Sequence, residues 1–148
     1  MADLPGAILF ACTMNAVRSP MAEGLMKRYF GKSVYVDSVG VRAGELDGFA
    51  VAVMEEIGID ISKHRPKVFG DLEDSSFDLI VSLSPQAQHS AVEMTRTMAC
   101  EVEYWNTFDA TAVQGNRDAM LDAYRSVRDA LEARIHSQFS DSFPAKPG

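Results

Sequence analysis

The segment Cys12-Thr13-Met14-Asn15-Ala16-Val17-Arg18-Ser19 combines a thiol, a guanidinium and a hydroxyl at spacings that suit an oxyanion. A thiolate is the nucleophilic form of cysteine, and the planar fork of Arg18 can hold two oxygens of one anion, which a lysine point charge cannot. A tight loop between the two points successive backbone N–H groups inward, and a helix opening at its end adds positive potential. That field favours the thiolate of Cys12, and Ser19 is placed to hydrogen-bond it and later help it leave phosphorus. The competing interpretation is a buried structural cysteine, because the Cys-to-Arg spacing alone arises by chance in unrelated chains. What decides between them is where the loop sits, so the surrounding elements matter.

Ala7-Ile8-Leu9-Phe10-Ala11 is a continuous apolar run that ends at Cys12, the pattern of a buried parallel strand. Ser19-Pro20 reads as an N-cap and first helical position, and Met21, Leu25 and Tyr29 follow at helical spacing. The loop thus joins a strand end to a helix start, the context that anion binding needs. Further on, residues 34–39 read as a second strand, and Ala50, Val53, Met54 and Ile57 as an amphipathic helix closed by Gly58. Residues 77–83 read as a third buried strand, 85–98 as a helix, and 102–105 as a fourth strand. Leu121, Tyr124, Val127, Leu131 and Ile135 mark one face of a long last helix with Asn116 near its start. Strands alternating with helices predict a parallel sheet covered on both faces.

The 148 residues suit one core, predicted here to span 1–139 with a frayed tail over 140–148. A net charge of −7 speaks against nucleic acid or an anionic membrane as partner, though not against one positive pocket. The N-terminus lacks the basic stretch and apolar run of a signal peptide, and no stretch is long enough to span a bilayer. Two cysteines, Cys12 and Cys100, are too few for a disulfide framework, which points to a reducing, cytoplasmic setting. Cys100 reads as a small buried apolar residue. No His, Cys or carboxylate pair has metal-ligand spacing, so neither a metal nor a cofactor is expected.

The loop followed by Met21-Ala22-Glu23 resembles the signature of the low-molecular-weight protein tyrosine phosphatases. Asp37-Ser38-Val39-Gly40, residues 58–65 and Phe77-Asp78-Leu79-Ile80-Val81 extend the resemblance to about residue 139. It departs from the family's usual loop at Met14, where glycine is ordinary, and at Val17, where cysteine is frequent. The resemblance implies an α/β fold, a flavodoxin-like three-layer α/β/α sandwich around a four-stranded parallel sheet, with the site at the strands' carboxyl ends. It implies Cys12 as nucleophile and Arg18 as phosphate clamp, with Thr13, Met14, Asn15, Ala16 and Val17 forming the phosphate cradle. Ser19 would activate the thiolate, while Ser38 and His64 would brace Asn15, a residue type that accepts a positive φ.

A leaving oxygen needs a proton, and the family supplies it from an aspartate followed by proline. Phe108-Asp109-Ala110-Thr111 occupies that stretch, so Asp109 is the candidate acid, ahead of Asp118 and Asp122. An ordinary turn aspartate is the alternative. Without the proline, Ala110 leaves the loop's φ less restrained. Trp105 or Phe49 could offer an aromatic surface to a phosphotyrosyl ring, although such residues are more often simply core or rim. The expected activity is hydrolysis of phosphate monoesters, with protein phosphotyrosine or a small phosphate monoester as partner and inorganic phosphate as product. Two rivals remain: an arsenate reductase on the same scaffold, which would need further cysteines absent around residues 82–85, and a phosphate-binding module without turnover.

Overall fold

The computed structural model describes residues 4–72 and 76–139; the tail expected to fray from Ser140 lies outside them. The apolar run forms strand β1 (Ala7–Cys12), buried on both sides from Ile8 onward. Its side chains alternate across the sheet. Ile8, Phe10 and Cys12 face one core, and Leu9 and Ala11 face the other. Helix α1 (Arg18–Phe30) and strand β2 (Tyr35–Gly40) follow, then α2 (Gly48–Glu55). Strand β3 (Leu79–Ser82), helix α3 (Pro85–Met94), strand β4 (Glu101–Tyr104) and helix α4 (Arg117–Phe139) complete the order.

The four strands pair in the order β2-β1-β3-β4, all parallel. Cys12 is in register with Gly40, Ala11 with Ser82, and Ser82 with Tyr104, so all the carboxyl ends share one edge. The chain leaves β1 toward β2 on one side and reaches β3 on the other. This reversal opens a crevice at the carboxyl edge, where open α/β sheets bind their ligands. Helices α1 and α4 cover one face with Met21, Leu25, Leu131 and Ile135, and α2 packs on α4. Helix α3 covers the other face through Ala87 and Ala91. The predicted α/β/α sandwich is therefore present. Among the described residues no helix is long and apolar enough to cross a membrane.

Two expectations need correction. Helix α1 starts at Arg18 with Val17 at the cap, not at Pro20 with Ser19 as cap. The hydroxyl of Ser19 is held by Asn15 and Cys12 instead of capping a helix N–H. Pro20 is tolerated because the first turn needs no N–H from it. Cys100 is only half-buried, because it precedes β4, the edge strand of the sheet among the described residues.

Candidate active site

The loop between β1 and α1 is held from outside by the segment that follows β2. Val41 N–H donates to the Cys12 carbonyl, Arg42 to Thr13, Gly44 to Met14 and Asp47 to Ala16, at 2.8–3.2 Å. With the carbonyls of Thr13, Met14 and Ala16 turned outward, the planar peptides point the N–H groups of Met14, Asn15 and Val17 the other way, and these make no hydrogen bond among the described residues. This is the arrangement of an anion cradle. It depends on close approach: a Cβ on Gly40 would stand 2.4 Å from the Arg42 carbonyl and 2.7 Å from the Asn15 nitrogen.

Asn15 takes φ 53° at the loop's turn, and its buried amide ties four partners together. Lys67 N–H donates to Oδ1 at 3.0 Å, which fixes the orientation of the amide. Nδ2 then donates to Ser19 Oγ at 2.8 Å and to Ser38 Oγ at 3.0 Å. Ser38 Oγ in turn donates a hydrogen bond to Glu23 Oε1 at 2.5 Å. Nε2 of His64 lies 2.9 Å from Asn15 Oδ1, so that nitrogen carries a proton. Burial pushes the His64 imidazole below its ordinary value, outweighing the pull of the Glu23 carboxylate. His64 therefore serves as a neutral Nε2–H donor. Because Ser19 Oγ accepts from Asn15, its own hydrogen is free for Cys12 Sγ, 2.9 Å away, while a contact to the Val39 carbonyl is longer at 3.4 Å.

Arg18 Nη1 donates to the carbonyls of Thr107 at 3.2 Å and Leu83 at 3.4 Å. These bonds anchor one edge of the guanidinium past the ends of β3 and β4 and leave Nε and Nη2 for an oxyanion. Thr13 Oγ1 links the loop to α3 through Ser84 Oγ at 3.0 Å and Gln86 Oε1 at 3.3 Å. Asp109 caps a short 3₁₀ turn, Ala110–Ala112, its Oδ1 accepting from Thr111 N–H at 3.0 Å and Thr111 Oγ1 at 2.6 Å. This side-chain turn restrains the loop where a proline's fixed φ is missing, and Oδ2 remains for proton transfer.

A cleft of about 500 Å³ gathers Cys12, Thr13, Met14, Ala16, Val17, Arg18 and Asp109. Asn15, Ser19, Ser38 and His64 lie behind its floor. Asp118 and Asp122 lie on α4 and do not line it. Neither Trp105 nor Phe49 lines this cleft; they take the core and rim places such residues more often have. Trp105 is buried against Phe10, with ring centroids 5.9 Å apart, and Phe49 lines a neighbouring cleft. Met14, 41% exposed, and Pro85 supply the apolar edges instead. Among the described residues no three His, Cys, Asp or Glu side chains cluster as metal ligands. Sequence reasoning missed Gly40, Lys67 and the segment from Val41 to Asp47. For Gly40 a signal existed, since it ends a quoted strand motif; for the others none did.

A parallel α/β sheet with a cysteine–arginine anion loop at its switch point defines an oxyanion-handling protein of the phosphatase type. Residues 7–141 match the family described as low molecular weight phosphotyrosine protein phosphatase. The chain belongs to that family. Arsenate reductase from Bacillus subtilis (strain 168) is 34% identical over 128 residues, covering 86% of this chain and 91% of that one. Among solved structures, a low molecular weight protein tyrosine phosphatase from T. tengcongensis superposes with TM-score 0.73 at 28% identity, over 91% of this chain and 98% of its own. An arsenate reductase in its phosphate-binding state gives TM-score 0.70 at 25% identity, over 91% and 97%.

Proposed function

We propose that this chain is a cysteine-dependent phosphatase that hydrolyses phosphate monoesters, protein phosphotyrosine foremost. The observation that carries the reading is Asp109 lining the same cleft as Cys12 and Arg18, so that nucleophile, clamp and proton donor share one space. The thiolate of Cys12 attacks phosphorus while the loop N–H groups and Arg18 hold the equatorial oxygens. The bond to the leaving oxygen breaks, and Asp109 gives that oxygen its proton. Asp109, now a carboxylate, takes a proton from water as the water attacks the cysteinyl phosphate. Phosphate departs, and the thiolate is received by the hydroxyl of Ser19.

A second reading has curated relatives on its side, since arsenate reductases are among them at 34% and 35% identity. In that reaction Cys12 displaces water from arsenate to form a sulfur–arsenic(V) bond. A thiol then attacks Cys12 Sγ, arsenic leaves as arsenic(III) with the bonding electrons, and a disulfide remains. No second cysteine lines the Cys12 cleft, so in this chain the attacking thiol would come from outside.

Steady-state hydrolysis of an aryl phosphate, run beside arsenate-dependent consumption of a small thiol, separates the two. The phosphatase reading expects turnover of the ester, abolished in Cys12→Ser, with phosphate or vanadate still bound by the variant. Thiol consumption that needs arsenate, without ester hydrolysis, establishes the second reading instead. Asp109→Ala refines the test. It should slow an alkyl or tyrosyl ester by about 10²-fold and an activated aryl ester far less, because only a poor leaving group needs the proton. Equal slowing across a leaving-group series would make Asp109 structural.

A further inference from the structure

A second cleft of about 540 Å³ adjoins the Cys12 cleft and shares Asp47 and Thr111 with it. Its floor is aromatic: Phe49 and Tyr124 pack with ring centroids 5.4 Å apart. Above Phe49 stands Arg117, its guanidinium carbon 5.5 Å from the ring centroid, within cation–π range. Arg117 makes no hydrogen bond or ion pair among the described residues. Its position as the first residue of α4 adds to the positive potential of the helix end. The carboxylate that lines this cleft, Asp47, is engaged at both oxygens. Oδ1 accepts from Phe49 N–H at 2.8 Å and Oδ2 from Tyr124 Oη at 2.7 Å. Burial and that carboxylate hold the Tyr124 hydroxyl well above the usual phenol range, so it stays a donor.

The result is an aromatic platform with one open cation, continuous with the phosphate cradle. We infer that this second cleft binds a residue flanking the phosphorylated side chain of a peptide substrate, and that it selects an acidic one. The carboxylate pairs with Arg117, and the methylene stem lies on Phe49. An extended peptide advances about 3.5 Å per residue, so a neighbour within three positions reaches a cleft that shares a wall with the first. This rests on the phosphatase reading, because it takes the substrate to be a phosphopeptide.

The test uses phosphotyrosyl peptides carrying Asp, Ala or Lys at each of three positions on either side, with an aryl phosphate as the flank-free control. At one of those positions the wild type should order kcat/KM as Asp, then Ala, then Lys, with about two- to fivefold per step, the range of an exposed ion pair. Arg117→Glu should invert that order and Arg117→Ala flatten it, with the aryl phosphate unchanged in both. No order in the wild type, or the same order in Arg117→Glu, overturns the inference. Should the wild type hydrolyse neither peptide nor aryl ester, the phosphatase reading falls. The inference is then judged by Kd of the same peptides for Cys12→Ser: the same charge order upholds it, and its absence rejects it.

Discussion

Every hydrogen-bonding site on the Asn15 side chain is in use, two as donor and two as acceptor, and that completeness sets the loop. Its acceptor side takes an Nε2–H from His64, a bond that both the neutral ring and the imidazolium can make, so it is the burial of that ring that ties the site to pH. In the folded chain His64 resists protonation, whereas in the unfolded chain it takes a proton at its ordinary value of 6.5. As pH falls below that value the unfolded state gains protons first, so stability declines until the folded imidazole is also charged. His64→Gln keeps an amide donor near the place of Nε2 without titrating. Denaturation midpoints measured from pH 7.5 downward should show the wild type losing stability relative to this variant below about 6.5. Parallel curves would remove His64 from the account. Gly40→Ala should cost roughly 1–3 kcal/mol and much of the activity, because the new Cβ meets two backbones at once. Thermal denaturation together with phosphate affinity would check it. The contrast shows what a sequence reveals at this scale. Cys12 and Arg18 were legible because their chemistry is local to the loop. Lys67 was not, because it contributes a backbone N–H, which any residue type but proline provides.

Elements were legible in kind and order, and their ends were not. Helix α3 was expected to reach Met98 and stops at Met94. Thr95 and Thr97 follow, and their hydroxyls turn back to the carbonyls of Val92 and Met94. Such bonding competes with the helix, and apolar periodicity carries no sign of it. Helix α2 shows the converse. It runs from Gly48 to Glu55, so Ile57, expected on its apolar face, falls in the turn beyond, while Gly58, at φ +78°, closes that turn as the glycine's position implied. What periodicity could not show is how α2 is fastened to α4. Glu56, just after α2, receives Arg125 Nη2 at 2.7 Å and Arg128 Nη1 at 2.8 Å, and Arg128 Nη1 also donates to the Val53 carbonyl. The Arg125 and Arg128 guanidiniums pull the Glu56 carboxyl down to about 2 from 4.5. A depressed carboxylate stabilises the fold above its unfolded value and loses that contribution as pH falls toward the folded one. Glu56→Gln should therefore lower Tm modestly at pH 7, and the gap to wild type should narrow between pH 4.5 and 2. A gap that persisted undiminished at the acid end would mean that packing, not charge, joins the helices.

At the scale of the whole molecule the decisive fact is where the sheet puts its two thiols. Glu101 is in register with Leu79 and Leu79 with Ile8, so Cys100, just before β4, lies near the amino edge of the sheet. Cys12 ends β1 at the carboxyl edge, roughly 16 Å further along at about 3.3 Å per residue, and two strands away. A disulfide needs Cα atoms within about 7 Å, so the folded sheet forbids a bridge between them. Burial also pushes the Cys100 thiol up, leaving it a poor nucleophile. Val17, beside Arg18 in the loop, offers no sulfur either. The native molecule has no internal route for carrying oxidising equivalents away from Cys12. Oxidised by peroxide, Cys12 should stop at a sulfenic acid, pair with an external thiol, or pass on to irreversible acids. Inorganic phosphate should slow the damage by filling the loop. Intact mass after timed peroxide exposure should show added oxygen, or the mass of an added small thiol, and only early samples should regain activity with thiol. Rapid loss of two mass units, fully reversed by thiol and absent in Cys100→Ser, would reveal a bridge that the sheet as described cannot make. It would mean that the segment around Cys100 leaves its strand to reach the site, and would move this chain to the side of its arsenate-reducing relatives.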